Sequence, residues 1–190
     1  MMMKLINVTV SMFLLLVLSS ACAVKQGAGQ DDNTLLALIF KQAVPDGKYT
    51  IVDPEARLPD NHDKAYLLEQ FKTDDAIVGP LIDQLIERNA EPVLLTLESS
   101  PENGYLVDYD GAYAQYFKED GGGWDKLYEE HPDASGSTTV SLPAYDEASG
   151  YVLIYKGTQM HWLAGSGNLI LYKYADGKMT EVENIMLWIS

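Results

Sequence analysis

The chain has 190 residues, with 28 acidic against 13 basic side chains and a formal net charge of −15. So acidic a surface repels DNA, RNA and anionic headgroups, which excludes nucleic-acid binding. Hydrophobic residues make up 47% of the chain, enough for one domain with a real core and too many for a disordered polymer, and with a single cysteine no internal disulfide forms.

The first feature in chain order is a signal. Lys4 precedes an uncharged run from Leu5 to Val24, most apolar between Met12 and Leu18, and the small residues Ser19, Ser20 and Ala21 follow. This is the basic, apolar, small-residue layout of a secretory leader. Three readings of its end stay open. "LSSAC" (18 to 22) resembles the bacterial lipoprotein signal, in which cleavage falls before the cysteine, a thioether-linked diacylglycerol is added to Cys22 and the new amine is acylated. Leu18 stands four residues before Cys22, where the commonest form of that motif has it three before. Alternatively, "ACA" (21 to 23) is an A-x-A site, cleavage follows Ala23 and Cys22 is lost. In the third reading the uncut run of about 20 residues stays as an anchor helix, although Asn7, Thr9, Ser11, Ser19 and Ser20 weaken it as a span. The lipoprotein reading explains most. A lone cysteine in an exported chain needs a role, several acyl chains on one residue anchor stably, and "AVKQGAGQDDN" has the composition of a tether. The expected organisation is a signal peptide over 1–21, a lipid-anchored linker over 22–33 and a single domain over 34–190. The expected location is the bacterial cell envelope, lipid-anchored, or on the second reading secreted or periplasmic.

Within the domain, Thr34 can cap a helix over 35–43, with Leu35, Leu38 and Ile39 at helical spacing. "PDG" (45 to 47) is a turn and "YTIV" (49 to 52) a strand; breakers through 53–62 argue against regular structure. Asp63 can cap a second helix with Ala65, Leu68 and Phe71 on one face. A third runs from about Pro80 to Asn89, with the proline in its first turn and Leu81/Leu85 and Ile82/Ile86 as i,i+4 pairs. "PVLLTLE" (92 to 98) and "YLVDYD" (105 to 110) read as a hairpin around "SSPENG". Ala112 to Phe117 make a helical turn and "GGG" (121 to 123) breaks the chain. "WDKLYEEH" then spaces Trp124, Leu127, Tyr128 and His131 along a helix that Pro132 stops.

From Ser137 the pattern is β. "STTVSLPAY" and "GYVLIYKG" are strands around "DEASG". A final hairpin turns on Asp176-Gly177, which supply the positive backbone angles of a type I′ turn. A two-residue loop sets Leu171 opposite Val182 and Tyr174 opposite Met179. Helices first and a meander last predict an α+β fold. The N-terminal helices should pack on one face of a curved antiparallel sheet, in a cystatin-like or nuclear-transport-factor-like cone.

The stretches "GGWDKLYEEHPDASGSTTVSLPAY", "WLAGSGNLILYKYADGK" and the ending "LWIS" carry a shared spacing. Trp124, Pro132, Ala134 and Gly136 precede Ser141 and Tyr145, then Gly165 and Gly167, then Trp188, Ile189 and Ser190. Over residues 122–190 this resembles the C-terminal region of uncharacterised bacterial exported proteins. The resemblance implies an exported location and the same fold, and it brings no activity or functional residue.

The chemistry-bearing candidates each have a plain structural alternative. His62, His131 and His161 lack zinc-ligand spacing, and His131 sits where it can meet helix carbonyls. His161, beside Trp162 in a loop, is the histidine placed for a site, against the default of a satisfied structural side chain. "DYDGAYAQYFKE" fails as a calcium loop, because Ala112 stands at a ligand position and Tyr113 where glycine is required. "LAGSGN" (163 to 168) lacks the phosphate-loop ending and reads as a turn needing small residues. The pattern assigns no catalytic residue, metal ligand or cofactor. What stands out is aromatic crowding in an acidic, glycine-broken region. Tyr109, Tyr113 and Trp124, with the His161-Trp162 loop, are the expected ligand-binding residues, since flat rings with polar edges suit sugars and peptides; the alternative is that the rings line a half-buried sheet and its helix. The functional expectation is an envelope lipoprotein whose non-enzymatic domain binds an exported protein or saccharide. One alternative is a cell-envelope hydrolase using a carboxylate and His161. Another is an acidic inhibitor or immunity-type protein that masks a basic target.

Overall fold

A computed structural model describes residues 30–59 and 63–190; the signal, Cys22 and His62 lie outside the described residues. The chain runs α1 (Gln30–Ala43), β1 (Tyr49–Val52), β2 (Glu55–Ala56), α2 (Lys64–Gln70), α3 (Asp75–Arg88), β3 (Val93–Leu94), β4 (Tyr105–Val107), α4 (Gly123–Glu130), β5 (Ala134–Val140), β6 (Ala144–Asp146), β7 (Tyr151–His161), β8 (Ala164–Ala175) and β9 (Lys178–Ile189). Short 3-10 turns at Pro101–Asn103 and Ala114–Phe117 flank β4. Among the described residues no helix is long and apolar enough to cross a membrane.

The fold is α+β. Seven strands form one open sheet in the order β4-β1-β5-β7-β8-β9, with β6 also paired to β7, while β2 and β3 make a separate ribbon. Two features correct the single-faced antiparallel expectation. First, β1 runs parallel to both its neighbours, with Thr50 opposite Tyr105 on β4 and Ile51 opposite Ser137 on β5. Second, helices cover both faces. Successive strand residues point to opposite sides, so Val52, Val140, Val152, Ile154 and Ile170 are buried beneath Leu35, Leu36, Ile39 and Phe40 of α1. Leu153, Tyr155, Leu169 and Leu171 meet Leu67 of α2 and Val78, Leu81, Ile82 and Leu85 of α3 on the other side. The helix α4 covers Tyr49 and Ile51, on the side away from α1, with Trp124 and Leu127.

Local signals placed several elements where expected. Asp63 caps α2 by accepting the Tyr66 N–H at 2.8 Å, although Leu67 and Phe71 are the buried residues and Ala65 is exposed. Asp176 and Gly177 take φ values of 51° and 73°, and Tyr174 lies opposite Met179. Other boundaries move. α1 starts at Gln30 rather than beside Thr34, and its buried Asp32 pairs with Arg88 of α3 at 2.7 Å. α3 starts at Asp75 under an Asp74 cap, so Pro80 lies inside it and not in its first turn.

The hairpin expected between residues 92 and 110 does not form. β3 pairs with β2 and β4 with β1, leaving only an isolated bridge between Ser100 and Tyr105. Burial beside β1 accounts for this, because Tyr105 and Val107 enter the α1 core from there. Side chains replace the missing ladder: Val107 N–H donates to Ser99 Oγ, and the Tyr105 and Tyr109 hydroxyls donate to the Glu98 and Leu97 carbonyls, each at 3.0 Å.

In the last hairpin Leu171 lies opposite Glu183, not Val182, because Val182 bulges out of β9. The bulge turns Glu183 toward the α2–α3 loop, where its carboxylate accepts the N–H groups of Lys72 and Thr73 at 2.7 and 3.1 Å. A second bulge follows at Leu187. The glycines of "LAGSGN" lie within β8 rather than in a turn. Gly167 leaves room for the Trp188 indole, since a Cβ there would stand 1.9 Å from Nε1, and that indole donates to the Tyr155 hydroxyl at 3.0 Å.

Candidate functional site

The parallel trio β4-β1-β5 creates a crevice. The chain leaves β1 for β4 on one side and later returns to β5 on the other, so a cleft opens beyond the carboxyl ends of β1 and β4, the usual ligand position in sheets with such a switch. It encloses about 410 Å³ and is lined by Ile51, Asp53, Asp108, Tyr113, Phe117 and Ser137 among others.

Its carboxylates are already engaged. Buried Asp108 accepts the N–H groups of Tyr113 and Ala114 at 3.1 and 2.9 Å, which fixes the 3-10 turn carrying the aromatic wall. Asp53 accepts the Glu55 N–H at 3.0 Å and pairs with Arg57 at 2.6 Å. Among the described residues no group of three His, Cys, Asp or Glu side chains is placed to hold a metal ion.

From the cleft the aromatic wall runs outward. The Tyr113 ring lies 4.7 Å from His131. The Tyr116 hydroxyl meets Glu130 and, at 3.1 Å, His131 Nε2. Hydrogen bonds from Lys126 and Tyr116 hold the Glu130 carboxyl below the usual range, and the same Glu130 contact pushes the Tyr116 hydroxyl up. Phe117 packs edge-on against Trp124 at 4.6 Å and Trp162 at 6.0 Å. Trp124 stacks on Tyr128, whose hydroxyl donates to the Met160 carbonyl at 2.6 Å. Gly123 is essential to this wall: its φ is +64°, and a Cβ there would lie 2.9 Å from Trp162. Trp162 remains 61% exposed at the β7–β8 turn, beside Leu163 at 84%.

Three of the expected ligand residues, Tyr113, Trp124 and Trp162, therefore belong to one assembly. Trp124 is buried and supports the surface rather than forming it. Tyr109 is half-exposed and pinned to the Leu97 carbonyl, outside the cleft lining. His161 ends β7 with an exposed side chain. Cys22 lies outside the described residues. Phe117, part of the aromatic crowd but not among the named ligand residues, joins the cleft to Trp162. Its spacing four residues after Tyr113 on a helical turn was the available signal. Asp108 and Ser137 become neighbours only through parallel pairing with β1, which no local pattern reveals. No family model matches the chain, and neither a curated protein nor a solved structure matches it.

Proposed function

We propose that this is a lipid-anchored protein of the bacterial envelope whose α+β domain binds another exported molecule, a protein or a saccharide, without chemistry of its own. The observation that carries the binding reading is the continuous aromatic wall from Tyr113 and Phe117 in the cleft to solvent-facing Trp162. Large apolar rings held rigidly in water cost little conformational entropy when a partner covers them, and such rings concentrate at recognition surfaces. The engaged carboxylates of Asp53 and Asp108 and the exposed His161 favour binding over hydrolysis. The anchoring half of the proposal rests on the signal layout and Cys22.

Two experiments test it. Intact mass spectrometry of the mature protein from its native host should find acyl chains on a chain starting at Cys22; an unacylated chain starting at Val24 overturns the anchor. Affinity capture of envelope material should fall at least tenfold with Trp162→Ala and with Phe117→Ala. Unchanged capture by both variants overturns the aromatic contact surface.

A further inference from the structure

A second concavity lies on the sheet face that α1 covers only in part. Past Ile39 and Ala43 of α1, strands β7, β8 and β9 continue uncovered and form a groove of about 410 Å³. Strand alternation brings its residues together. Lys156 follows Val152 and Ile154 at the next position on this face and lies opposite Asn168, while Tyr172 lies opposite Glu181 and Ile170 opposite Asn184. The period that buries Val152 and Ile154 calls for an apolar residue at 156, and the chain has a lysine there.

Two donors in this groove are left over. Lys156 is half-buried, and no ion pair or hydrogen bond reaches it among the described residues. Burial lowers its ammonium from the ordinary lysine range, and Glu181 across the groove offsets only part of that. Tyr172 is 8% exposed, yet its hydroxyl has no hydrogen-bond partner among the described residues. That hydroxyl keeps contact with solvent, and the residue lines the groove. The neighbouring amides are already donating: Asn168 to Ser166 Oγ at 3.2 Å, Gln42 to the Met179 carbonyl at 3.3 Å and Asn184 to Glu181 at 3.4 Å. Their carbonyl oxygens and the Thr158 hydroxyl remain as sites for ligand hydroxyls. Glu181 also lines the groove but forms no ion pair with Lys156, which leaves the cation and the phenol open to one further acceptor. In a chain of net charge −15, a single carboxylate suits such a site better than a polyanion.

We propose that this groove binds a hydroxylated monocarboxylate of the sugar-acid class, with the carboxylate on Lys156 and the Tyr172 hydroxyl and the ring hydroxyls on Thr158, Asn168 and Asn184. The site is separate from the aromatic cleft and does not depend on it. Amide chemical shifts and calorimetry on the mature chain, titrated with D-glucuronate and D-galacturonate, test the proposal against D-glucose, D-galactose, acetate and inorganic phosphate. At least one uronate should bind and move the amides of residues 156, 168 and 172, with the neutral hexoses, acetate and phosphate at least tenfold weaker. Lys156→Met and Tyr172→Phe should each weaken uronate binding at least tenfold, while Trp162→Ala leaves it unchanged. Lys156→Met should also melt no lower than the parent. If that variant fails to fold, Tyr172→Phe carries the test, since it deletes one oxygen from a ring that stays packed. The proposal is overturned if neither uronate moves these amides, if a neutral sugar or phosphate binds as well, or if a folded variant binds like the parent.

Discussion

The carboxylate of Asp108 accepts two backbone N–H groups and through them sets the pitch of the turn bearing Tyr113 and Phe117. Replacing it with alanine leaves those donors facing a buried gap, at a cost of about 1–2 kcal/mol. Urea unfolding of Asp108→Ala should show that loss, together with weaker protection of the buried Trp124 from quenchers. Glu183 is the comparable residue on β9. Burial opposes its ionisation, but the N–H groups of Lys72 and Thr73 and the Thr73 hydroxyl outweigh burial and hold the carboxyl below the ordinary value of 4.5. Because the unfolded carboxyl takes up a proton first, this stabilisation is complete above pH 4.5 and is lost as pH falls through the lowered folded value. Glu183→Gln should be less stable than the parent by about 1–2 kcal/mol at neutral pH. The gap should narrow in denaturant melts taken progressively further into acid.

At the scale of elements, what was legible had a local cause. The Asp63 cap, the Asp176-Gly177 turn and the apolar stripe of α4 each depend on residues within one turn of each other. The parallel placement of β4 had no such signal. Its three residues read equally well as half of a hairpin, and only burial against β1 and α1 decides between them. The double-faced cover was partly written in "VLIY" (152 to 155), a continuous apolar run of the kind strands have when both sides are buried. The candidate site divides along the same line. Its rings were visible as a crowd, whereas the cleft they wall required a pairing between residues more than fifty apart in sequence, such as Thr50 with Tyr105. Within β8, Gly167→Ala should displace the Trp188 indole from the Tyr155 hydroxyl and cost about 2–3 kcal/mol, by the usual penalty for overpacking. A thermal melt with near-ultraviolet dichroism of the indole checks it.

For the molecule as a whole, the two helical layers are tied to each other as well as to the sheet. Arg88 of α3 reaches Asp32 of α1 and the Pro143 carbonyl between β5 and β6. Arg88→Ala should cost about 2 kcal/mol, toward the lower end for a largely buried pair because the arginine keeps some solvent contact. Calorimetry should also show a broader transition as α1 loosens from the face it covers. The outermost strand, β9, has twelve residues, long enough to act as a template onto which a strand of a neighbouring molecule could zip. Its interruptions at Val182 and Leu187 break the outward row of amides and carbonyls into short, twisted segments that a straight incoming chain cannot follow. Where many copies crowd together, those two extra residues keep them from joining edge to edge into fibres.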